Sequence, residues 1–94
     1  MTRAEVRAQV VSVIQRILTD SGRTPGDLAD DDRLTGAVGL DSLDLAVMVV
    51  GLEQSLGIDP FREGAAPVAT IGALVDLYAE RLESSDASSE GDSA

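Results

Sequence analysis

The sequence contains no cysteine, histidine, tryptophan or lysine, and its only cationic side chains are seven arginines. Each gap removes a class of chemistry. Without cysteine there is no disulfide, no thiolate metal site and no thiol nucleophile. Without histidine or lysine a serine has no customary base, which excludes an ordinary serine hydrolase. Aromatic residues are limited to Phe61 and Tyr78, leaving few surfaces on which bases could stack. Seventeen acids against the seven arginines give a net charge of −10. That balance argues against nucleic acid and against anionic membrane surfaces, and favours basic protein partners. No apolar run approaches membrane-spanning length, and Thr2-Arg3-Ala4-Glu5 is polar where a signal peptide needs an apolar stretch. The expectation is a soluble cytoplasmic protein.

What is present is Val, Leu, Ile and Ala in amounts that suit one small helical domain, since 94 residues support a single core. Thr2 and Glu5 stand at capping-box spacing, and Val6, Val10, Val13, Ile14 and Ile17 recur at helical intervals. A first helix is predicted from Arg3 to about Thr19, stopped at Ser21-Gly22. From Arg23 to Leu40 the pattern lapses into a long loop that Leu28, Leu34 and Val38 would pin to the core. Its Asp30-Asp31-Asp32 run lacks the spacing, glycine and distal glutamate of a calcium loop, so a solvated loop is expected and no metal site. A second helix is predicted from Ser42 to about Leu56, with Gly57 as its stop and Met48, Val49, Leu52 and Leu56 as its buried stripe. Leu45, Val47 and Val50 are then left over on a helix that is apolar nearly all round.

Asp59-Pro60-Phe61-Arg62-Glu63-Gly64 has a cap, a proline at the first helical position and a closing glycine, which predicts one short helical turn anchored by Phe61. Thr70 caps a last helix in which Ile71, Leu74, Val75, Leu77 and Tyr78 repeat through Leu82. Residues 1–83 are thus expected to form an all-α domain, a small bundle of three long helices and one short, and residues 84–94 a disordered acidic tail.

The stretch that carries function is Gly39-Leu40-Asp41-Ser42-Leu43-Asp44. Asp41 stands where an N-cap belongs and Asp44 follows three residues later, so Ser42 opens the helix. Its hydroxyl lies at a positive helix end, where an esterified anion is favourably placed. Taken alone, Asp-Ser-Leu is read more readily as ordinary capping.

Together with the apolar helix behind it, Gly39-Leu40-Asp41-Ser42-Leu43 resembles the prosthetic-group attachment site of the carrier proteins of fatty acid, polyketide and nonribosomal peptide synthesis, the acyl carrier protein family. The resemblance covers residues 3 to 83. It implies the acyl-carrier type of four-helix bundle and 4′-phosphopantetheine on Ser42, moved there from coenzyme A by a phosphopantetheinyl transferase. The chain then has no catalytic residues of its own and is not an enzyme. As a discrete, monomeric carrier it would hold acyl intermediates as thioesters, in polyketide or related secondary-metabolite synthesis, and meet acyl-loading, condensing and tailoring enzymes through basic or mixed docking patches.

Asp41, Leu43, Asp44, Val47 and Glu53 are the candidate partner-binding residues. The acyl branch places several acids along the second helix, and here Val47 and Gln54 replace two of them. Asp44 and Glu53 are also readable as a solvated helix face, and Asp41 as a cap. Two alternatives stand beside the acyl carrier: an aminoacyl or peptidyl carrier of a nonribosomal pathway, and an interaction module that is never modified.

Overall fold

A computed structural model of the chain describes residues 1–24 and 26–93, with side chains described through residue 83. Three helices follow one another: α1 over Arg3–Asp20, α2 over Ser42–Leu56 and α3 over Ile71–Ser93. Each begins where a side chain satisfies amides that the helix itself leaves open. Thr2 Oγ1 accepts from the Glu5 amide at 3.2 Å while Glu5 Oε1 accepts from the Thr2 amide at 3.0 Å, the reciprocal capping box expected from the sequence. Asp41 and Asp44 make the same exchange at the head of α2, and Thr70 Oγ1 accepts from the Ala73 amide at 3.2 Å at the head of α3.

The helix ends are equally local. At the end of α1 the Gly22 amide donates to the Thr19 carbonyl at 3.0 Å and the Arg23 amide to the Leu18 carbonyl at 2.8 Å, a Schellman closure. Gly22 takes a φ of +79° to make it. Gly57, at φ +80°, ends α2.

Helix α1 packs against both of the others. Its Val6, Val10, Val13, Ile14, Ile17 and Leu18 meet Met48, Leu52 and Leu56 of α2 and Ile71, Leu74, Val75 and Tyr78 of α3 in one core. Among these Val6, Val10, Ile14, Leu52, Ile71, Leu74, Val75 and Tyr78 are fully enclosed. Leu34, Val38 and Leu40 bring the long connection between α1 and α2 into the same core, and Leu28 packs against it from the side. The Leu34 amide donates to the Ala69 carbonyl at 2.9 Å, and the Ile71 and Gly72 amides donate to the carbonyls of Asp32 and Asp30 at 3.1 and 2.7 Å. The loop therefore supplies the acceptors that the first turn of α3 lacks. At Gly72 a Cβ would stand 3.0 Å from the Asp30 carbonyl oxygen, so the docking needs a glycine there.

The acidic run is less solvated than the sequence suggests. Arg7 Nε meets Asp30 Oδ1 at 2.7 Å, Arg3 Nη2 meets Asp30 Oδ2 at 3.0 Å, and Arg3 Nε meets Asp76 Oδ1 at 2.6 Å. Asp30 thus ties the loop to α1, and Arg3 ties α1 to α3.

Among the described residues the bundle has three helices and a turn. The segment expected to form a fourth, short helix is capped as predicted, with Asp59 Oδ1 accepting from the Phe61 and Arg62 amides at 3.1 and 3.2 Å. Its bonds then run from Glu63 to Pro60 and from Gly64 to Phe61, three residues apart, and Gly64 turns to φ +101° before a helical turn is complete. Four residues cannot offset the cost of helix nucleation. Phe61 still anchors the turn, edge-on to Tyr78 with ring centroids 6.2 Å apart. Pro60, beside it, is the residue that is fully buried.

The last described side chain to pack on the core is Leu82. The expected disordered tail over 84–94 falls on residues whose side chains lie outside the described ones. Among the described residues no helix is long and apolar enough to cross a membrane.

Candidate functional site

Ser42 is the first residue of α2 and lies on the surface. Three local features put it there. Gly39 adopts φ +80°, a conformation that costs other residues a steric penalty, and turns the chain toward the helix. Leu40 is buried, its amide donating to the Leu34 carbonyl at 2.9 Å, so the turn is pinned one residue before the cap. Asp41 Oδ1 accepts from the Asp44 amide at 2.8 Å, and the Asp41 carbonyl accepts from the Leu45 amide at 2.9 Å. Among the described residues the Ser42 and Leu43 amides have no acceptor. An exposed hydroxyl beside open first-turn amides fits a phosphate ester: the group would add an anion where the helix end favours one.

Charge around the hydroxyl is set by a contact that sequence reasoning missed. Arg23 Nη2 donates to Asp44 Oδ2 at 2.6 Å, Arg23 Nη1 donates to the Gly39 carbonyl, and Arg23 Nε donates to Ser21 Oγ at 3.0 Å. The guanidinium, helped by the Asp41 amide, holds the Asp44 carboxyl below the usual carboxylate range. Arg23 stands sixteen residues before Gly39. The only hint in the sequence was that a chain so rich in acid has an acid for nearly every arginine; which acid Arg23 takes depends on the Schellman closure that aims it.

The structure brings Asp41, Ser42, Leu43, Asp44 and Val47 together at one end of α2 and leaves Glu53 at the other. Leu43 is 72% exposed and Val47 49%, and Val50 continues the apolar stripe at 57%. Asp41 is exposed, but only 16% of the Asp44 side chain is, because it faces Arg23. Glu53 Oε2 lies 3.5 Å from Arg62 Nη2.

On another side of α2 an apolar pocket of about 170 Å³ opens between that helix and the connection to α3. Leu45, Met48 and Val49 form one wall and Phe61, Pro67 and Val68 the other. Among the described residues no group of histidine, cysteine and carboxylate side chains could hold a metal ion.

Comparison with known proteins agrees with this arrangement. The family model of the phosphopantetheine attachment site matches residues 8–78, a span that includes the whole Gly39–Asp44 turn. Among curated proteins, acyl carrier protein 1, chloroplastic, of Casuarina glauca is 38% identical over 61 residues, which cover 60% of this chain and 45% of that protein. Acyl carrier protein 1, chloroplastic, of Cuphea lanceolata is 30% identical over 86 residues, covering 86% of this chain and 56% of its own. Acyl carrier protein 4, chloroplastic, of the same plant shows the same identity and coverage. The chain spans about half the length of the curated relatives it matches. No solved structure matches at the significance these relatives reach. Proteins of this kind are carriers rather than enzymes, and the group they carry is 4′-phosphopantetheine, covalently held. The chain belongs to the acyl carrier protein family, the family of the phosphopantetheine attachment site.

Proposed function

We propose that Ser42 is the attachment residue, and that the chain carries acyl intermediates as thioesters on the arm it receives. The observation that supports this best is the place of Ser42: a surface hydroxyl at the first position of α2, in a glycine turn and capping box that hold it without covering it. A phosphopantetheinyl transferase supplies the base that the chain lacks. Ser42 Oγ forms a bond to the phosphorus next to the pantetheine arm of coenzyme A, the diphosphate bond breaks, adenosine 3′,5′-bisphosphate leaves, and the serine proton passes to the transferase. The chain's own residues orient the hydroxyl and present the surface around it.

That surface is proposed to dock the loading, condensing and tailoring enzymes. Leu43 and Val47 offer apolar contact, Asp41 an exposed charge, and Asp44 and Glu53 a negative field that their arginine partners partly offset. A mixed apolar and basic patch is the complementary partner surface. The apolar lining of the pocket beside α2 favours an acyl cargo over the charged amino group of an aminoacyl one. Polyketide or related secondary-metabolite synthesis is the proposed setting: Val47 gives the docking helix an apolar face where carriers of the acyl branch tend to be acidic, which points to partners of their own kind.

Loading tests the assignment. The holo-protein is expected to accept an acyl group from acyl-CoA through an acyltransferase, and to accept no amino acid from an adenylating enzyme. Aminoacyl loading with no acyl loading would favour the peptidyl-carrier alternative. An interaction module would take up no phosphopantetheine at all.

A further inference from the structure

The geometry points to Arg23 as the positioning residue for Ser42: its guanidinium fixes the turn on both sides of the hydroxyl and so sets how fast the phosphopantetheine group is transferred. The inference rests on Ser42 being the attachment residue.

The backbone of Arg23 is held first. As the last residue of the Schellman closure it donates its amide to the Leu18 carbonyl at 2.8 Å, so the side chain leaves from a fixed point at the end of α1. Its three donors then reach three different segments: Ser21 Oγ at the helix end, the Gly39 carbonyl in the glycine turn, and Asp44 Oδ2 in the first turn of α2. Gly39 precedes Ser42 by three residues and Asp44 follows it by two. The planar fork of an arginine holds both at once in a fixed geometry, which a freely rotating ammonium does not impose.

Without this clamp, the backbone of the glycine turn is held to the core by the buried Leu40 and its bond to Leu34. The cap and the serine, beyond that pin, would then lose the tie that Arg23 makes from the end of α1 to Asp44.

Charge makes a second demand on the same residue. Asp41 and Asp44 flank Ser42, and the esterified phosphate adds a third negative charge beside them. Arg23 is the one described cation in contact with this group, and it offsets Asp44 directly. With Arg23 37% exposed and Asp44 16%, water still screens the pair, which contributes only modestly to stability. Its removal should therefore leave the fold in place and act on the serine.

The test is a time course of transfer from coenzyme A by a broad-specificity phosphopantetheinyl transferase with magnesium, read by intact mass. Wild type, Arg23→Gln, Arg23→Lys and Arg33→Gln are compared, with the folded fraction of each measured by circular dichroism at the assay temperature. Arg33 is an exposed arginine of the same loop whose side chain makes no ion pair among the described residues, so Arg33→Gln removes one charge without touching the clamp.

Arg23→Gln is expected to lower kcat about tenfold with KM changed less than about twofold, as misplacement of a reacting group does. Arg23→Lys, which keeps the charge and loses the fork, should fall between it and wild type. Arg33→Gln should load like wild type. The inference is overturned if Arg23→Gln loads at the wild-type rate, if Arg33→Gln loses as much, or if the loss only follows the unfolded fraction. Failure of the wild type to load would overturn the attachment reading, and this inference with it.

Discussion

Tyr78 shows how tightly a core this small constrains single groups. Its hydroxyl is buried and has no hydrogen-bond partner among the described residues. Leaving such a group unpaired forfeits its hydration without return, so Tyr78→Phe is expected to stabilise the domain by about 1 kcal/mol in urea titrations. Burial also pushes the phenol from its ordinary value of 10.0 up to about 12, with Asp59 and Glu53 adding to the shift. The folded state thus resists the ionised form. Stability from this group is complete below the unfolded value and is lost as pH rises through the folded one. With no lysine or cysteine in the chain, the loss of stability between about pH 10 and 12 should belong chiefly to Tyr78 and flatten in Tyr78→Phe.

At the acid end the sign reverses. Asp30, held below its usual range by Arg7 and Arg3, and Asp44, held down by Arg23, contribute stability that is present above the ordinary carboxylate range and lost as pH falls through their lowered values. Asp30→Asn should therefore weaken the acid-induced fall of the unfolding midpoint below about pH 4.

Among the elements, α2 carries two opposite faces on one short sequence. Met48 and Leu52 are buried, whereas Leu43, Val47 and Val50 are exposed. Leu52→Ala is expected to cost about 2–5 kcal/mol and to unfold much of a domain this marginal. Val47→Glu, on the open face, should shift stability by less than about 0.5 kcal/mol. If Val47 belongs to the proposed docking surface, association with the native partner should weaken through faster dissociation, which surface plasmon resonance measures directly.

Much of this architecture could be read from the sequence because helix boundaries are local chemistry. Thr2, Asp41 and Thr70 announce the three starts, and Gly22 and Gly57 two of the stops. The buried stripes of α1 and α3 follow from spacing alone, save for Leu18, which is buried but stands outside the predicted stripe, and Leu77, which is half-buried. What was not legible depends on distance. Arg23 finds Asp44, and Asp30 finds Arg3 and Arg7, only after the loop has folded back, and the anchoring role of Leu40 depends on the same folding. The Asp59–Gly64 segment misled for another reason: its cap, proline and glycine signal a helix start and stop correctly, but too few residues separate them to form a helix.

For the molecule as a whole, a surplus of acids surrounds a small core. Arg3, Arg7, Arg23 and Arg62 are spent at the junctions, where they join α1 to the loop, the loop to α2, and α2 to the second connection. The remaining negative charge repels itself. Raising salt from low ionic strength should therefore raise the melting temperature, since screening relieves that repulsion more than it weakens a few close pairs. The same field would guide basic partners toward the end of α2, where the glycine turn, the cap and Arg23 present Ser42.

Whether Ser42 is the residue that receives the arm is the central claim, and intact mass after incubation with a phosphopantetheinyl transferase, magnesium and coenzyme A tests it most directly. The wild-type chain should gain the mass of one phosphopantetheine. Ser42→Ala, which removes an exposed hydroxyl and so keeps its helical circular dichroism, should gain none. An unmodified wild type, or a folded Ser42→Ala that takes up the group, would contradict the assignment.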